Sequence, residues 1–189
     1  MASSDHSRAL CIDDRRIRRA GCEHCAIRSK MLFADLDVSA LGSLLEDVTN
    51  TRLAAGEIIY QQGAEPAAIY SIRAGLVKLS LVSRDGDMRI VRLLGPGAAI
   101  GLEVMLQQPY HHSAEALTEI DICRIPGTIL RQIAQQQAQL YQRLMGQWQQ
   151  HVDIADQHLL GLSTGVIRDR SLRLLQLQAT ISDYSGKKT

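Results

Sequence analysis

Residues 69–97 read IYSIRAGLVKLSLVSRDGDMRIVRLLGPG, and this stretch carries the clearest structural signal in the chain. Apolar and polar side chains alternate on both sides of Asp85-Gly86, which is the pattern of half-buried antiparallel strands. Asp-Gly supplies the positive φ angles that a two-residue hairpin turn requires. Gly75 and Gly97 are candidates for bends that a Cβ atom would obstruct. The stretch therefore predicts two antiparallel strands joined by a two-residue turn.

Short apolar segments with similar punctuation surround this hairpin between residues 56 and 126. They recur roughly every eight to twelve residues and are separated by Gly, Pro and Asp-Gly. The segments are GEIIYQQG, AAIYSIRAG, AAIGLEVML, HHSAEALT and IDICRIP. This spacing is typical of a sandwich or jelly roll.

Helical periodicity frames the β-rich region. Residues 33–53 predict a leading helix, residues 127–135 a short helix, and the segment that follows, up to residue 162, a long helix. Ser163-Thr164 would cap a further helix at 166–181. The long helix carries an apolar stripe of Leu140, Leu144, Trp148, Val152, Ala155, Leu159 and Leu162. Such a stripe either packs on its own β domain or pairs with the same helix of a second chain, and both remain open.

The composition limits the class of protein. The formal net charge of +1 gives no global attraction to nucleic acid or to an anionic membrane, and an aromatic content of 4% argues against a base-stacking surface. No apolar run has the length of a membrane span and the start lacks a signal-peptide pattern, so we expect a cytoplasmic protein that does not contact membranes. There, cysteines serve as thiols, metal ligands or redox groups rather than structural disulfides.

Cys22-Glu23-His24-Cys25 is a CxxC motif. It places two thiols close enough to bind one metal ion, one edge of an iron–sulfur cluster, or each other. No second CxxC is present, which excludes a four-thiolate zinc ribbon, and the remaining cysteines are Cys11 and Cys123. A surface pair of thiols without a ligand is the alternative.

The order of the motifs resembles the CRP/FNR family of bacterial transcription regulators. A leading helix is followed by GLVKL, a DG turn, RLLGPG, IGLE, HHSAEALT, CRIP, a long helix and LSTGVIRDRSLRLL, over about residues 22–181. The resemblance implies an α+β fold: an antiparallel β roll (jelly roll) of the cyclic-nucleotide-binding type, flanking helices and a long dimerisation helix. It also implies a C-terminal winged helix-turn-helix that reads DNA.

The resemblance divides the chain into four parts. They are a flexible basic arm at 1–21, a sensory β-roll domain at 22–135, a dimerisation helix at 136–162, and the first helix of an incomplete winged helix-turn-helix domain at 163–189. The implied dimer interface consists of Leu140, Leu144, Trp148, Val152, Ala155 and Leu159.

The resemblance also locates an effector pocket, for which the candidates are Gly101, Leu102, Glu103, His112 and Ser113. Cyclic-AMP-binding members carry a Gly-Glu pair for the ribose hydroxyl and an Arg-Ser pair for the phosphate. Here the corresponding pairs are Gly101-Leu102 and His112-Ser113. Because leucine cannot accept a hydrogen bond and a neutral histidine replaces a permanent cation, we do not expect cyclic AMP to bind in the usual mode.

The oxygen-sensing FNR branch implies a metal site. Cys22 and Cys25 match the first two cysteines of its N-terminal cluster, and Cys123 matches the central one. Met31 stands at the place of the third cysteine, so that Cys11 would have to complete the four ligands of a 4Fe–4S cluster. The alternative is that the CxxC is a relic without a ligand and that Cys123 is a buried, structural residue. A haem sensor would need an axial ligand, for which His111, His112, His151 and His158 are available.

The resemblance implies the sensory and dimerisation region of a transcription regulator, controlled by an effector through the dimer helix. The expected partners are a second copy of the chain, and DNA only through a C-terminal domain that is mostly absent here. The alternative is a stand-alone ligand-binding or mixed-dimer module without DNA binding. An enzyme is not expected, because no nucleophile–base pair and no phosphate loop is present, and Glu103 with His111 or His112 reads as a pocket contact.

Overall fold

The computed structural model describes residues 17–20, 22, 25–37, 41–83 and 85–162. The strands are β1 (Ile17–Arg19), β2 (Thr49–Leu53), β3 (Ile58–Tyr60), β4 (Ala68–Ala74), β5 (Val77–Val82), β6 (Met88–Leu94), β7 (Ala99–Ile100), β8 (Ser113–Ala116) and β9 (Ile120–Pro126). The α-helices are α1 (Gly127–Gln136) and α2 (Gln139–Leu162). Short 3-10 turns cover Arg28–Lys30, Gly42–Asp47 and Leu102–Leu106.

The strands form two antiparallel sheets that face each other. One has the order β1-β2-β9-β4-β7 and the other the order β3-β8-β5-β6. Buried side chains from both sheets fill the space between them, among them Ile72, Leu79 and Ile122. Ile69 and Ile125 belong to a second cluster with α1 and the start of α2, because alternate residues of a strand point to opposite faces. This two-sheet roll with flanking helices confirms the predicted α+β fold class.

The central hairpin is β5-β6, and its connection differs from the predicted two-residue turn. Val82 pairs with Met88, which leaves five residues, 83–87, in the loop. The backbone N–H of Ser83 donates to the carbonyl oxygen of Asp87 at 2.9 Å, and Gly86 supplies a positive φ of 88°. The extra Ser83–Asp87 bond closes the loop before the apolar pairing begins. The bend at Gly75 is confirmed: its φ is 83°, and a Cβ there would collide with the carbonyl oxygen of Glu119.

The leading helix predicted for residues 33–53 is wrong. Among the described residues of this segment, Leu41 is helical, Gly42–Asp47 forms a 3-10 turn, and Thr49–Leu53 forms β2 instead. The threonines and asparagine of TNTRL suit a strand, and β2 pairs along its whole length with β9. Tertiary pairing therefore overrides the helical spacing of the leucines. The segment 98–106 also differs, because Gly101 at φ 78° ends β7 and a 3-10 turn follows.

The two helices after the roll confirm the predicted short helix and long helix. Leu140 and Leu144 are buried in the core formed with α1, and α2 then runs across β6. The predicted helix at 166–181 and residues 1–16 of the predicted flexible arm at 1–21 lie outside the described residues, whereas Ile17–Arg19 of that arm forms β1 and pairs with β2. The division into domains stays a prediction. Among the described helices, none has both the length and the apolar character that crossing a bilayer demands.

Candidate effector cleft and thiol cavity

A cleft of about 840 Å³ lies between the β5-β6 hairpin and α2. Gly101, Leu102, Glu103 and His112 line it, so four of the five predicted pocket residues are brought together. Ser113, the fifth, accepts a hydrogen bond from the backbone N–H of Gln62 at 3.0 Å. The role of these residues in effector binding stays a prediction.

Glu103, His112 and Arg92 form a polar chain across the cleft. The guanidinium Nη1 of Arg92 lies 3.2 Å from His112 Nε2, and His112 Nδ1 lies 3.8 Å from Glu103 Oε1. The backbone N–H of His111 donates to the same carboxylate oxygen at 3.1 Å. Burial raises the pKa of Glu103, but the hydrogen bonds from His112 and from backbone N–H groups outweigh it and leave the pKa below its usual value. Glu103 is therefore a carboxylate at neutral pH.

Arg92 and His151 connect the hairpin to α2. Arg92 Nε donates to the backbone carbonyl oxygen of His151 at 3.1 Å. The side chain of His151 is 9% exposed, and its Nε2 has no hydrogen-bond partner among the described residues. Burial, and next the charge of Arg92, lower the pKa of His151 to about 4. His151 is therefore neutral at physiological pH.

Sequence reasoning missed Arg92 as a member of the site. The alternation of the strand places Arg92 on the other face from Val91 and Leu93. It does not show that α2 crosses β6 at this point. A basic residue in the middle of an apolar strand next to a hairpin was the available signal. Leu102 occupies the position that corresponds to the ribose acceptor of the cyclic-AMP-binding members. Its side chain is buried and apolar, so it offers no hydrogen bond there.

The helix α2 has two neighbouring faces, each with residues at alternating steps of four and three. The inner face packs on the roll and consists of Leu140, Leu144, Gln147, His151 and Ile154. The outer face is more exposed and consists of Tyr141, Met145, Trp148, Val152, Ala155 and Leu159, of which the last four also border the cleft. Trp148 and Leu159 are 44% and 65% exposed. The predicted dimer interface thus mixes two inner residues, Leu140 and Leu144, with four outer ones, and it omits Tyr141 and Met145.

Three of the predicted metal ligands, Cys22, Cys25 and Cys123, line one small cavity of about 30 Å³. Met31 lines it as well and is 6% exposed. The thiol of Cys123 donates to Asn50 Oδ1 at 2.9 Å. Burial raises the pKa of Cys123 to about 12, and burial followed by the neighbouring Cys25 raises the pKa of Cys22. The fourth predicted ligand, Cys11, lies outside the described residues.

The described residues supply three of the four thiols that a four-thiolate cluster needs. A cubane requires four ligands that are normally thiolates, and Met31 offers only an uncharged thioether at the place of one of them. Within the described part of the chain, no group of three His, Cys, Asp or Glu side chains is arranged to hold a metal ion. Of the histidines considered for haem, His111, His112 and His151 all line the cleft, and His111 is exposed there.

Comparison with known proteins shows what this chain resembles. Residues 50–137 match the family model of the cyclic nucleotide-binding domain. The transcriptional activator protein Anr of Pseudomonas aeruginosa is 29% identical over 157 residues, which is 82% of this chain and 64% of the relative. The transcriptional activator protein FnrA of Stutzerimonas stutzeri is 26% identical over 167 residues, which is 87% of this chain and 68% of the relative. The chain thus spans about two thirds of the length of these relatives.

Solved structures agree with this result. A CRP-family transcriptional regulator from Thermus thermophilus has a TM-score of 0.56 at 25% identity, covering 64% of this chain and 58% of that one. The catabolite activator protein of the same organism has a TM-score of 0.57 at 22% identity, covering 70% of this chain and 62% of that one, and supports the fold. The predicted resemblance to the CRP/FNR family is confirmed. So is the expectation that the chain is not an enzyme, since the relatives are named as transcription regulators.

Proposed function

We propose that this chain, whose residues 50–137 match the cyclic nucleotide-binding domain and whose relatives include the activator Anr, is the sensory and dimerisation region of a cytoplasmic transcription regulator of the CRP/FNR type. An effector in the cleft controls how two copies are joined along α2. The observation that carries this proposal is the division of α2 into an inner face held by the roll and an apolar outer face.

The outer face has the spacing of a coiled-coil seam. Its apolar residues alternate by four and three positions from Tyr141 to Leu159, which corresponds to a period of about 3.5 residues. Met145, Trp148 and Val152 are 67%, 44% and 39% exposed. Large apolar side chains in a contiguous stripe mark an interaction surface, and a second copy of the same stripe is its self-complementary partner.

Two polar contacts couple the sensor to the seam. The buried side chain of Gln147 accepts from the backbone N–H of Ala99 at 3.0 Å and donates to the carbonyl oxygen of Gly97 at 3.2 Å. One turn along the helix, Arg92 donates to the backbone of His151. A ligand that moves β6 or the segment before Gly101 therefore acts directly on α2, one residue away from the outer face.

Regulation then takes the form of a population shift between two poses of the paired helices. The segment that follows α2 would be reoriented, and a winged helix-turn-helix attached there would gain or lose its DNA-binding geometry. The effector is not cyclic AMP bound in the usual mode, because Leu102 and His112 replace its two main recognition groups. A 4Fe–4S cluster is not part of the proposal either, since Met31 replaces one thiolate.

The test is the oligomeric state. Val152→Glu places a charge in the middle of the proposed seam, where two copies of it would oppose each other. We expect the parent chain to sediment as a dimer over a concentration series and the V152E chain to sediment as a monomer with unchanged far-ultraviolet circular dichroism.

Gln150→Glu is the matched control, because it introduces the same charge at an exposed position of α2 that lies on neither face. This variant should remain dimeric. A parent chain that stays monomeric at high concentration, or a V152E chain that dimerises as tightly as Q150E, would contradict the proposal.

A further inference from the structure

Arg92 is a half-buried cation whose hydrogen-bond partners are uncharged. Among the described residues, its acceptors are the carbonyl oxygen of His151 at 3.1 Å and the ring nitrogen of His112 at 3.2 Å. A guanidinium has five N–H donors in a fixed fork, and these two contacts leave part of the fork available. Burial lowers the pKa of Arg92, although the charge of Glu103 opposes this, so the cation bears a desolvation cost that an anion would relieve.

Glu103 does not fill this role, because His112 stands between the two charges. Arginine can only donate, so His112 Nε2 must accept, and the hydrogen of the neutral ring is then on Nδ1. Nδ1 faces Glu103 Oε1, which also receives the backbone N–H of His111. The carboxylate is thus already engaged by donors on its own side of the cleft.

The second observation is the buried nitrogen of His151. The backbone of Ala99 raises the pKa of the ring, as a carbonyl oxygen that accepts from a ring N–H does, whereas Nε2 has no partner among the described residues. In the neutral ring Nε2 is therefore a bare acceptor, and its side chain lines the cleft. A buried acceptor without a donor costs free energy, and a hydroxyl or N–H group of a ligand would supply the missing bond.

Apart from Arg89, Gln108 and His111, the rest of the cleft is mostly apolar on both walls. Leu81 and Ile90 lie on the hairpin side, and Trp148 and Val152 on the helix side. A ligand that fits these surroundings has an apolar body, with its polar groups at one end.

We propose that the cleft binds a small organic acid that carries a hydroxyl or N–H donor next to its carboxylate. The carboxylate lies on the fork of Arg92, the neighbouring donor bonds to His151 Nε2, and an aromatic or branched body packs against Trp148 and Val152. This inference rests on the proposed function in taking the cleft as the effector site. A carboxylate is favoured over a phosphate dianion, because the ionised Glu103 stands nearby and would repel the second charge.

Trp148 is the single tryptophan of the chain and lines the cleft, so its fluorescence reports binding directly. The probes are 3-phenyllactate, 3-phenyllactamide, 3-phenylpropanoate and cyclic AMP. We expect 3-phenyllactate at millimolar concentration or below to change the emission of Trp148 in a saturable way. The amide lacks the charge and the propanoate lacks the hydroxyl, and each should bind about tenfold more weakly or worse.

Two variants assign the contacts. Arg92→Gln should weaken 3-phenyllactate at least about tenfold and remove its preference over the amide, whereas Arg52→Gln, at an exposed position of β2, should change neither. His151→Leu should remove the preference for 3-phenyllactate over 3-phenylpropanoate. Equal binding of acid and amide, full affinity in R92Q, or a response to cyclic AMP alone would overturn the inference, as would no response to 3-phenyllactate.

The same titration, on the parent chain and on a Met145→Glu chain whose substitution lies on the outer face but outside the cleft, separates this inference from the proposed function. Binding by a parent chain that stays monomeric supports the acid site and contradicts only the proposed function. A parent chain that dimerises without binding the acid leaves the proposed function in place and overturns the acid site.

Discussion

The two faces of α2 have the same spacing of residues and opposite surroundings. The inner face begins with two apolar residues, Leu140 and Leu144, and continues with the polar residues Gln147 and His151. All four side chains are buried. The outer face is apolar from end to end and is largely exposed. The comparison shows that hydrophobicity alone does not say which stripe of a helix meets its own domain. Here the more polar stripe does, because the roll supplies hydrogen-bond partners for it.

The largest expected effect comes from comparing neighbouring residues on the two faces. Leu140 is 0% exposed, so Leu140→Ala should reduce the free energy of unfolding by about 2–5 kcal/mol. Tyr141, the next residue, is 50% exposed, and Tyr141→Ala should change it by no more than about 0.5 kcal/mol. Both variants are measured by urea denaturation in the V152E background, where dissociation does not contribute. Equal losses would show that the two faces are not distinct.

An intermediate effect is expected from pH, through His151. Its folded-state pKa is about 4 against an ordinary value of 6.5, so the folded protein binds fewer protons than the unfolded chain between these values. Stability from the neutral ring is fully present above pH 6.5 and is lost as the pH falls towards about 4, by on the order of 3 kcal/mol.

The comparison variant for this prediction is His151→Leu, measured by urea denaturation across the same pH range. Arg92, Glu103 and His112 face the ring, and Glu103 also loses stabilisation as the pH falls, since its folded pKa is lowered. The difference between parent and variant isolates His151. A loss of stability that is identical in both chains would mean that the ring does not titrate in this window.

The smallest effect is expected from Gln147, the polar contact between the inner face and the roll. Gln147→Ala removes the bonds to Gly97 and Ala99 and leaves a buried backbone N–H unpaired, which should cost about 1–3 kcal/mol. Gln150→Ala, at an exposed position of the same helix, should be nearly neutral. The measurement is thermal or urea unfolding, and two equal and small values would contradict the proposed coupling through Gln147.

Local sequence patterns predicted those strands and helices in which the spacing of the apolar residues matches the face that is buried. The β5-β6 hairpin and the long helix both follow from periodicity, and the bend at Gly75 follows from the missing Cβ. Residues 33–53 failed because β2 is specified by its partner strand β9, which lies about seventy residues away and is invisible to a local pattern. The resemblance to a family located four of the pocket residues, since their order along the chain is the order of the motifs.

The other details of the site depend on packing. Arg92 and His151 meet only because α2 crosses β6, and the single local signal is the basic side chain of Arg92 within an apolar strand. The apolar pattern predicts four residues of the outer face. It also takes Leu140 and Leu144 into the predicted interface, because both are apolar and continue the stripe at a helical spacing. Only the direction in which α2 leaves the core separates the two faces, and that direction is set by the contacts with α1 and β6.

The raised pKa of Cys123 has a consequence for the chemistry of the thiol cavity. At a pKa of about 12, roughly one thiol in 10⁵ is ionised at neutral pH. Alkylating reagents and peroxides attack the thiolate, so this sulfur is chemically quiet in the folded protein. The rate at which iodoacetamide labels Cys123 can therefore measure how often the roll opens. The thiol reacts at an ordinary rate only after the strand that holds it has separated from its neighbours.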